Sequence, residues 1–208
     1  MYRPAHFRED DPVAIGAFVD AYPLAAVVAM GPDGFVANHL PLLRLVGDDG
    51  SSVLRGHVAR ANELWKVVPD GAPVIAIFRG EDHYVSPGWY PTKAETGEVV
   101  PTWNYVVANA HGRIRFIQDA AWLRELVGSL TRHHERTQAR PWSIEDAPEA
   151  YLARMLGAIV GFEIAVERIE AKRKSSQNRT ERERAGVVKA LTDEGISAAA
   201  RDQLVRGR

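Results

Sequence analysis

The stretch from His83 to Gly112 reads HYVSPGWYPTKAETGEVVPTWNYVVANAHG. The chain has five Trp and six Tyr, and Tyr84, Trp89, Tyr90, Trp103 and Tyr105 all fall here, interleaved with Ser86, Lys93, Thr102, Asn104 and His111. An ordinary core strand carries Val, Ile and Leu. Rings with polar tips offer flat area plus a hydrogen-bonding handle, which suits a planar ligand or a subunit interface, while an aromatic-lined core with wet edges is the competing reading. Within the stretch, Pro87, Gly88, Pro91, Gly97 and Pro101 mark a loop, and loops carrying Lys and aromatics often carry function. The loop separates a strand at Tyr84–Ser86 from a long strand at Thr102–Ile117, with a bulge expected at His111–Gly112.

Upstream, Asp10 and Asp11 before Pro12 form a helix start, followed by Ile15, Phe18 and Val19 at helical spacing. Leu24–Met30 reads as a buried strand. The turn Gly31-Pro32-Asp33-Gly34 folds it back on a second strand that continues to Leu43, so the pair predicts a hairpin. Further strands are expected at Val53–Val58 and Val74–Phe78, with a short helix over 62–68. Downstream, Leu123, Leu126, Val127 and Leu130 repeat at helical spacing, as do Leu152, Met155, Leu156 and Ile159. Asp146 and Glu149 have capping-box spacing at the start of the second of these helices. Val160, Phe162, Ile164 and Val166 alternate with Glu163 and Glu167, a half-exposed strand. About seven strands, mostly neighbours in sequence, and three or four helices predict an α+β fold. Antiparallel pairing into a barrel with peripheral helices is expected, not an alternating βαβ layout.

The 208 residues fit one sizeable domain with a small appendage. The expected division is a domain over 1–170 and a basic helical tail over 171–208, packed on the barrel or on a dimer partner. Residues 171–189 carry seven cations against two carboxylates, yet the whole chain has a net charge of -1, unlike a dedicated nucleic-acid domain. There is no Cys, which excludes disulfides and thiolate chemistry. No apolar run approaches membrane-spanning length, and the amino-terminal residues lack a signal-peptide core, so the expected location is cytoplasmic.

No dinucleotide-binding glycine signature and no phosphate-binding P-loop occurs. His133-His134-Glu135 lacks the spacing that puts two imidazoles on one helix face. Gly56-His57-Val58-Ala59-Arg60-Ala61-Asn62 lies where a strand hands over to a short helix. Free N–H groups and the Arg60 fork suit an anion there, with His57 and Asn62 as further donors; alternatively Asn62 only caps the helix and Arg60 is solvated. Asn38-His39-Leu40-Pro41 interrupts an apolar strand, and Pro41 places it at an edge or bulge. Lys174-Ser175-Ser176-Gln177-Asn178-Arg179 gathers amides, hydroxyls and cations, either for a polar ligand or as a solvated helix entry. Thr180 and Glu183 form a capping box for the helix that follows.

Taken in order, YRPAHF, VANHLPL, LRGHVARAN, YVSPGWYPTK, VPTWNYVVANAHG and SQNR resemble the PaiB-type FMN-binding negative transcriptional regulators, over nearly the whole chain to about Leu191. The resemblance implies a split β-barrel of the pyridoxamine-phosphate-oxidase type, assembled as a homodimer with FMN in a groove between subunits. It puts Arg60, Ala61 and Asn62 near the phosphate, where the His57 donor noted above is also counted as a cofactor contact, and runs Asn38, His39 and Leu40 along the flavin. It also supplies Lys93, Thr102, Trp103 and Asn104, some of them from the second chain, and closes the groove with Ser176 and Gln177. Ser175 stands where the family pattern is expected to be apolar.

The reading that follows is an FMN-binding homodimeric regulator. Its DNA contact would come from a faint helix-turn-helix pattern around Asp193-Glu194-Gly195-Ile196, or the tail would strap the dimer instead. The alternative is an FMN-dependent oxidoreductase acting on a small organic substrate. A haem-binding split barrel, with His39, His57 or His111 as axial ligands, stands behind both.

Overall fold

The computed structural model describes residues 1–205. Its elements, in chain order, are β1 (Arg8–Glu9), α1 (Pro12–Ala21), β2 (Leu24–Gly31), β3 (Gly34–Pro41), β4 (Leu43–Val46), β5 (Ser52–Ala59), α2 (Leu64–Val67), β6 (Pro73–Val85), α3 (Thr92–Glu95), β7 (Thr102–Ile117), α4 (Ala120–Glu135), α5 (Glu149–Gly157), β8 (Ile159–Lys174), α6 (Glu181–Asp193) and α7 (Ala198–Leu204). Short 3₁₀ turns lie at Ala5–Phe7, Pro87–Trp89 and Ile144–Asp146. The α+β class with antiparallel strands is as expected from the sequence. The strand order is β3-β2-β6-β7-β8-β5-β4, with β1 against β8.

The chain clusters into two compact units. Met1–Phe18, Arg79–Asn109 and the chain from Glu170 onward form the first, and Val19–Phe78 with Ala110–Ile169 form the second.

In the second unit, β2 and β3 make the expected hairpin, in register from Leu24↔Pro41 to Gly31↔Gly34. Gly34 turns the chain at φ 120°, a region open to glycine. Pro41 ends β3, which is an edge strand of the sheet, consistent with its missing donor. The expected run through Leu43 is broken at Leu42, which is buried and donates its N–H to the Pro23 carbonyl at 2.9 Å, and β4 begins beyond it. β5 pairs with both β4 and β8. Helices α4 and α5 bury Leu123, Leu152 and Leu156 around Ile144, as their spacing predicts. The expected Asp146–Glu149 capping box does not form. Ser143 and Asp146 cap the 3₁₀ turn instead, and α5 starts from Pro148 without a side-chain cap.

In the first unit, β1 pairs with the end of β8, Arg8 opposite Lys172. Strand β6 runs unbroken to Val85, so Tyr84 and Val85 do not belong to a separate strand. The region expected to be loop holds α3 and a 3₁₀ turn capped by the Ser86 hydroxyl. Thr180 and Glu183 form the capping box at the start of α6 as predicted. Glu183, Val187 and Leu191 lie four residues apart, one stripe of the helix, and all three are buried. Val187 and Leu191 pack with Val85, Tyr90 and Leu204, each such side chain contributing about 1.5–3 kcal/mol. Close approach is possible only because residue 186 is Gly: a Cβ there would overlap the main-chain oxygen of Trp89.

Candidate functional site

The candidate residues fall into both units. In the second, β5 delivers His57 and then Arg60–Asn62 at its end. Asn62 Oδ1 accepts from the Leu64 N–H at 2.9 Å, and Asn62 Nδ2 donates to Asn38 Oδ1 at 2.7 Å. Asn38 and Asn62 are thus brought together. The Arg60 fork turns inward to protein: Nε donates to the Gly157 carbonyl at 2.8 Å, one terminal nitrogen to the Ile159 carbonyl at 3.0 Å, and the other to Gln118 Oε1 at 2.8 Å. Its main-chain N–H donates to the Ala158 carbonyl at 2.8 Å. Arg60 thus ties the end of β5 to the start of β8, and it stays half-exposed, bordering a hollow of about 390 Å³ with Gln118, Arg124 and Glu149. The helix that follows, α2, has only four residues and Asn62 already caps it. His39 and Ala61 are exposed and Leu40 is half-buried. His57 Nδ1 is buried without a partner among the described residues, and burial holds its pKa below the ordinary 6.5. His57 borders a hollow of about 310 Å³ with Thr131, His134, Glu135 and Trp142.

In the first unit, the start of β7 meets the segment leaving β8. Asn104 is 1% exposed, and its Nδ2 donates to Ser176 Oγ at 2.8 Å and to the Leu204 carbonyl at 2.9 Å. Thr102 accepts from Lys174 Nζ, which also donates to the Trp103 carbonyl at 2.6 Å. Ser176 is buried and holds φ 62°, left-handed backbone that non-glycine residues seldom adopt and that clusters at functional sites. Gln177 spends its amide on its own loop, accepting from the Ser175 N–H and donating to the Arg173 carbonyl. Lys93 lies exposed on α3.

Thr102, Asn104 and Ser176 border a hollow of about 140 Å³ together with Tyr90, Lys174 and Arg179. Arg179 lies over the Tyr90 ring at 4.7 Å and is 3.5 Å from Glu183. Burial lowers the pKa of Lys174, and the charges of Lys172 and Arg179 lower it further. Burial raises the Tyr90 phenol, with Arg179 pulling it back. Lys174, Arg179 and Tyr90 were not singled out as ligand contacts from the sequence. The basic, amide-rich run 174–179 was the available signal, and it reads equally well as a solvated helix entry.

The five rings of the aromatic stretch divide by role. Tyr90 is core and Trp89 packs against it. Tyr84 and Trp103, 43% and 52% exposed, meet edge to face with centroids 5.9 Å apart. Lys172 Nζ lies over Tyr105 at 5.2 Å and over Tyr2 at 5.6 Å. These surfaces fit FMN chemically: open aromatic faces suit the ring system, and cations with hydroxyls suit the phosphate.

Solved structures with this architecture define the class. The flavocytochrome Anf3 from Azotobacter vinelandii aligns with TM-score 0.59 at 17% identity, over 83% of this chain and 72% of its own. The FAD and heme binding protein from Mycobacterium smegmatis aligns with TM-score 0.56 at 16% identity, over 80% and 73%. The fold is thus an α+β split barrel of the type found in flavin-binding proteins. Residues 1–168 match the family described as "Putative FMN-binding domain", and the chain belongs to that FMN-binding family. Relatives include the protease synthase and sporulation protein PAI 2 of Bacillus subtilis, 31% identical over 93% of this chain and 90% of that protein. An uncharacterized protein of Emericella nidulans is 32% identical over 78% and 77%. Among the described residues, no helix is long and apolar enough to cross a membrane.

Proposed function

We propose that this flavin-binding chain acts as a homodimer and as a regulator of transcription of the PaiB type. The observation that carries the dimer is the exposed ring pair Tyr84–Trp103. Two large aromatic side chains standing in water on neighbouring strands, β6 and β7, are the kind of surface that a second copy covers. The regulatory role rests on the resemblance of the motifs YRPAHF through SQNR to the PaiB-type negative regulators, and the PAI 2 match along 93% of the chain is in keeping with it. Bound FMN supplies a redox-active ring system with a dianionic phosphate. The proposed contacts are Asn38, His39, Leu40, His57, Arg60, Ala61 and Asn62, with some of Lys93, Thr102, Trp103, Asn104, Ser176 and Gln177 supplied by the second copy. Arg60 also positions the end of β5, since its guanidinium donates to Gly157, Ile159 and Gln118.

Helices α6 and α7 spend Val187, Leu191 and Leu204 on the core of their unit. Exposed Arg182 and Lys189 are paired with Glu95 and Asp193. DNA contact through this pair would therefore run to phosphates and would weaken with salt.

The test is light scattering and absorbance on protein loaded with FMN, followed by anaerobic addition of NADH or NADPH. A yellow dimer that keeps its colour supports the reading. A loaded monomer removes the dimer, and bleaching by either donor moves the assignment to an FMN-dependent oxidoreductase.

A further inference from the structure

The hollow in the first unit holds a positive charge that the protein does not balance. Lys174 Nζ donates to a hydroxyl and a main-chain carbonyl, Thr102 Oγ1 and Trp103 O, and no carboxylate among the described residues pairs with it. Lys172 and Arg179 add positive charge close by. Arg179 is paired with Glu183 at 3.5 Å, a carboxylate shared with Thr92 Oγ1 and the Thr180 N–H, so the unpaired charge of the hollow is that of Lys174. A half-buried ammonium beside other cations gains stability from an opposite charge. The backbone holds Ser176 there in a left-handed conformation, anchored by buried Asn104. The cost of that conformation is of the size that functional sites carry.

Size decides what fits. Pockets that bury a whole drug-sized ligand measure roughly 300–1,000 Å³. This hollow, at about 140 Å³, takes a compact head group and not a three-ring system. Its donors are an ammonium, a guanidinium and two hydroxyls, the set that grips a tetrahedral dianion.

We propose that the hollow formed by Lys174, Arg179, Thr102 and Ser176 is a phosphate-monoester site, separate from the Arg60 turn. The proposal rests on the flavin reading only for the identity of the ester, since the phosphate of FMN and that of another phosphorylated metabolite share this chemistry.

The experiment titrates inorganic phosphate into the full-length protein and follows amide and lysine-amine NMR signals, then repeats the titration with FMN and with riboflavin. Saturable shifts confined to residues around 102–104 and 174–179 are expected with phosphate. FMN that displaces phosphate from these signals identifies the flavin as the source. FMN that binds without displacing it identifies a second phosphorylated ligand and still supports the site. Lys174→Met, checked for folding by circular dichroism, should weaken phosphate and the displacing ester by at least about 10-fold. Riboflavin affinity should not change in this variant. The site is refuted if phosphate produces no saturable shifts there, or if folded Lys174→Met binds phosphate as the parent does. If the variant does not fold, the parent titration alone decides. Phosphate binding without any flavin binding would sink the flavin reading and leave this site standing. FMN binding with no phosphate response at the hollow would do the reverse.

Discussion

Replacing Gly186 by Ala sets two effects against each other, and the structure decides between them. Gly186 lies inside α6, where Ala is favoured over Gly by about 0.8–1.0 kcal/mol. Propensity alone therefore predicts a more stable protein. The new Cβ, however, would meet the main-chain oxygen of Trp89, an atom with no flexible end to move away. Relief requires the helix or the 3₁₀ turn at Pro87–Trp89 to shift, and overpacking of this kind costs about 1–3 kcal/mol, occasionally more. With a backbone oxygen far closer to the new Cβ than the 3.0 Å that real Cβ contacts keep, the cost falls in the upper part of that range, about 2–3 kcal/mol, so the contact wins, for a net loss of about 1–2 kcal/mol and a fall in Tm of roughly 2–8 °C for a chain of this size. Gly157 provides the opposite case: it ends α5, and an added Cβ would meet nothing within 4 Å. Gly157→Ala should be neutral or stabilising by up to about 1 kcal/mol. Urea and thermal unfolding of both variants measure the two signs. A Gly186→Ala protein as stable as the parent would refute the close packing of α6 on the aromatic stretch.

Asn104→Ala should destabilise by about 2–4 kcal/mol, because it strips the donor from a buried hydroxyl and a buried carbonyl at once; denaturant midpoints read the loss. His57 has its pKa lowered by burial, so between that value and 6.5 the unfolded chain binds a proton that the folded chain refuses. Stability should therefore fall as pH drops below about 6.5, with His133, also lowered by burial, contributing to the same slope. His57→Gln should flatten this part of a stability–pH profile, and an unchanged profile would contradict the burial of Nδ1. Trp103→Ser paired with Tyr84→Ser should leave the fold intact by circular dichroism and raise the dimer dissociation constant by at least about 10-fold in analytical ultracentrifugation, since buried interface aromatics often cost 2 kcal/mol or more when truncated.

The fold was largely legible because its long elements are periodic. β7 and the capped start of α6 were read from alternation and from Thr180 with Glu183. The part of β6 at 79–83 was not, since Arg-Gly-Glu-Asp-His has no apolar alternation. Its side chains are held by an ion pair, Arg79 with Asp82, and by a hydrogen bond between His83 and Glu194, a partner 111 residues away. The capping box moved from Asp146 to Ser143 because Pro148 leaves α5 to begin at a proline, while Ser143 Oγ reaches the 3₁₀ turn. In the site, Asn38 and Asn62 were found by type, but their mutual bond depends on the geometry of two strands. The carbonyls that Gly157 and Ile159 offer to Arg60 are not legible in sequence, because they come from the far end of α5 and the start of β8. The run from Lys174 to Arg179 was noticed but not resolved, because a basic run looks the same whether solvated or lining a hollow.

The bond from Asn104 to the Leu204 carbonyl spans 100 residues, and that to Ser176 spans 72. A nascent chain therefore reaches the ribosome exit with β7 in place and its buried amide still lacking both partners. Until the final helices emerge, the aromatic segment is an exposed sticky surface, open to chaperones and to neighbouring copies. Slowed or interrupted translation after β8 should therefore yield aggregation-prone fragments, not a smaller working protein.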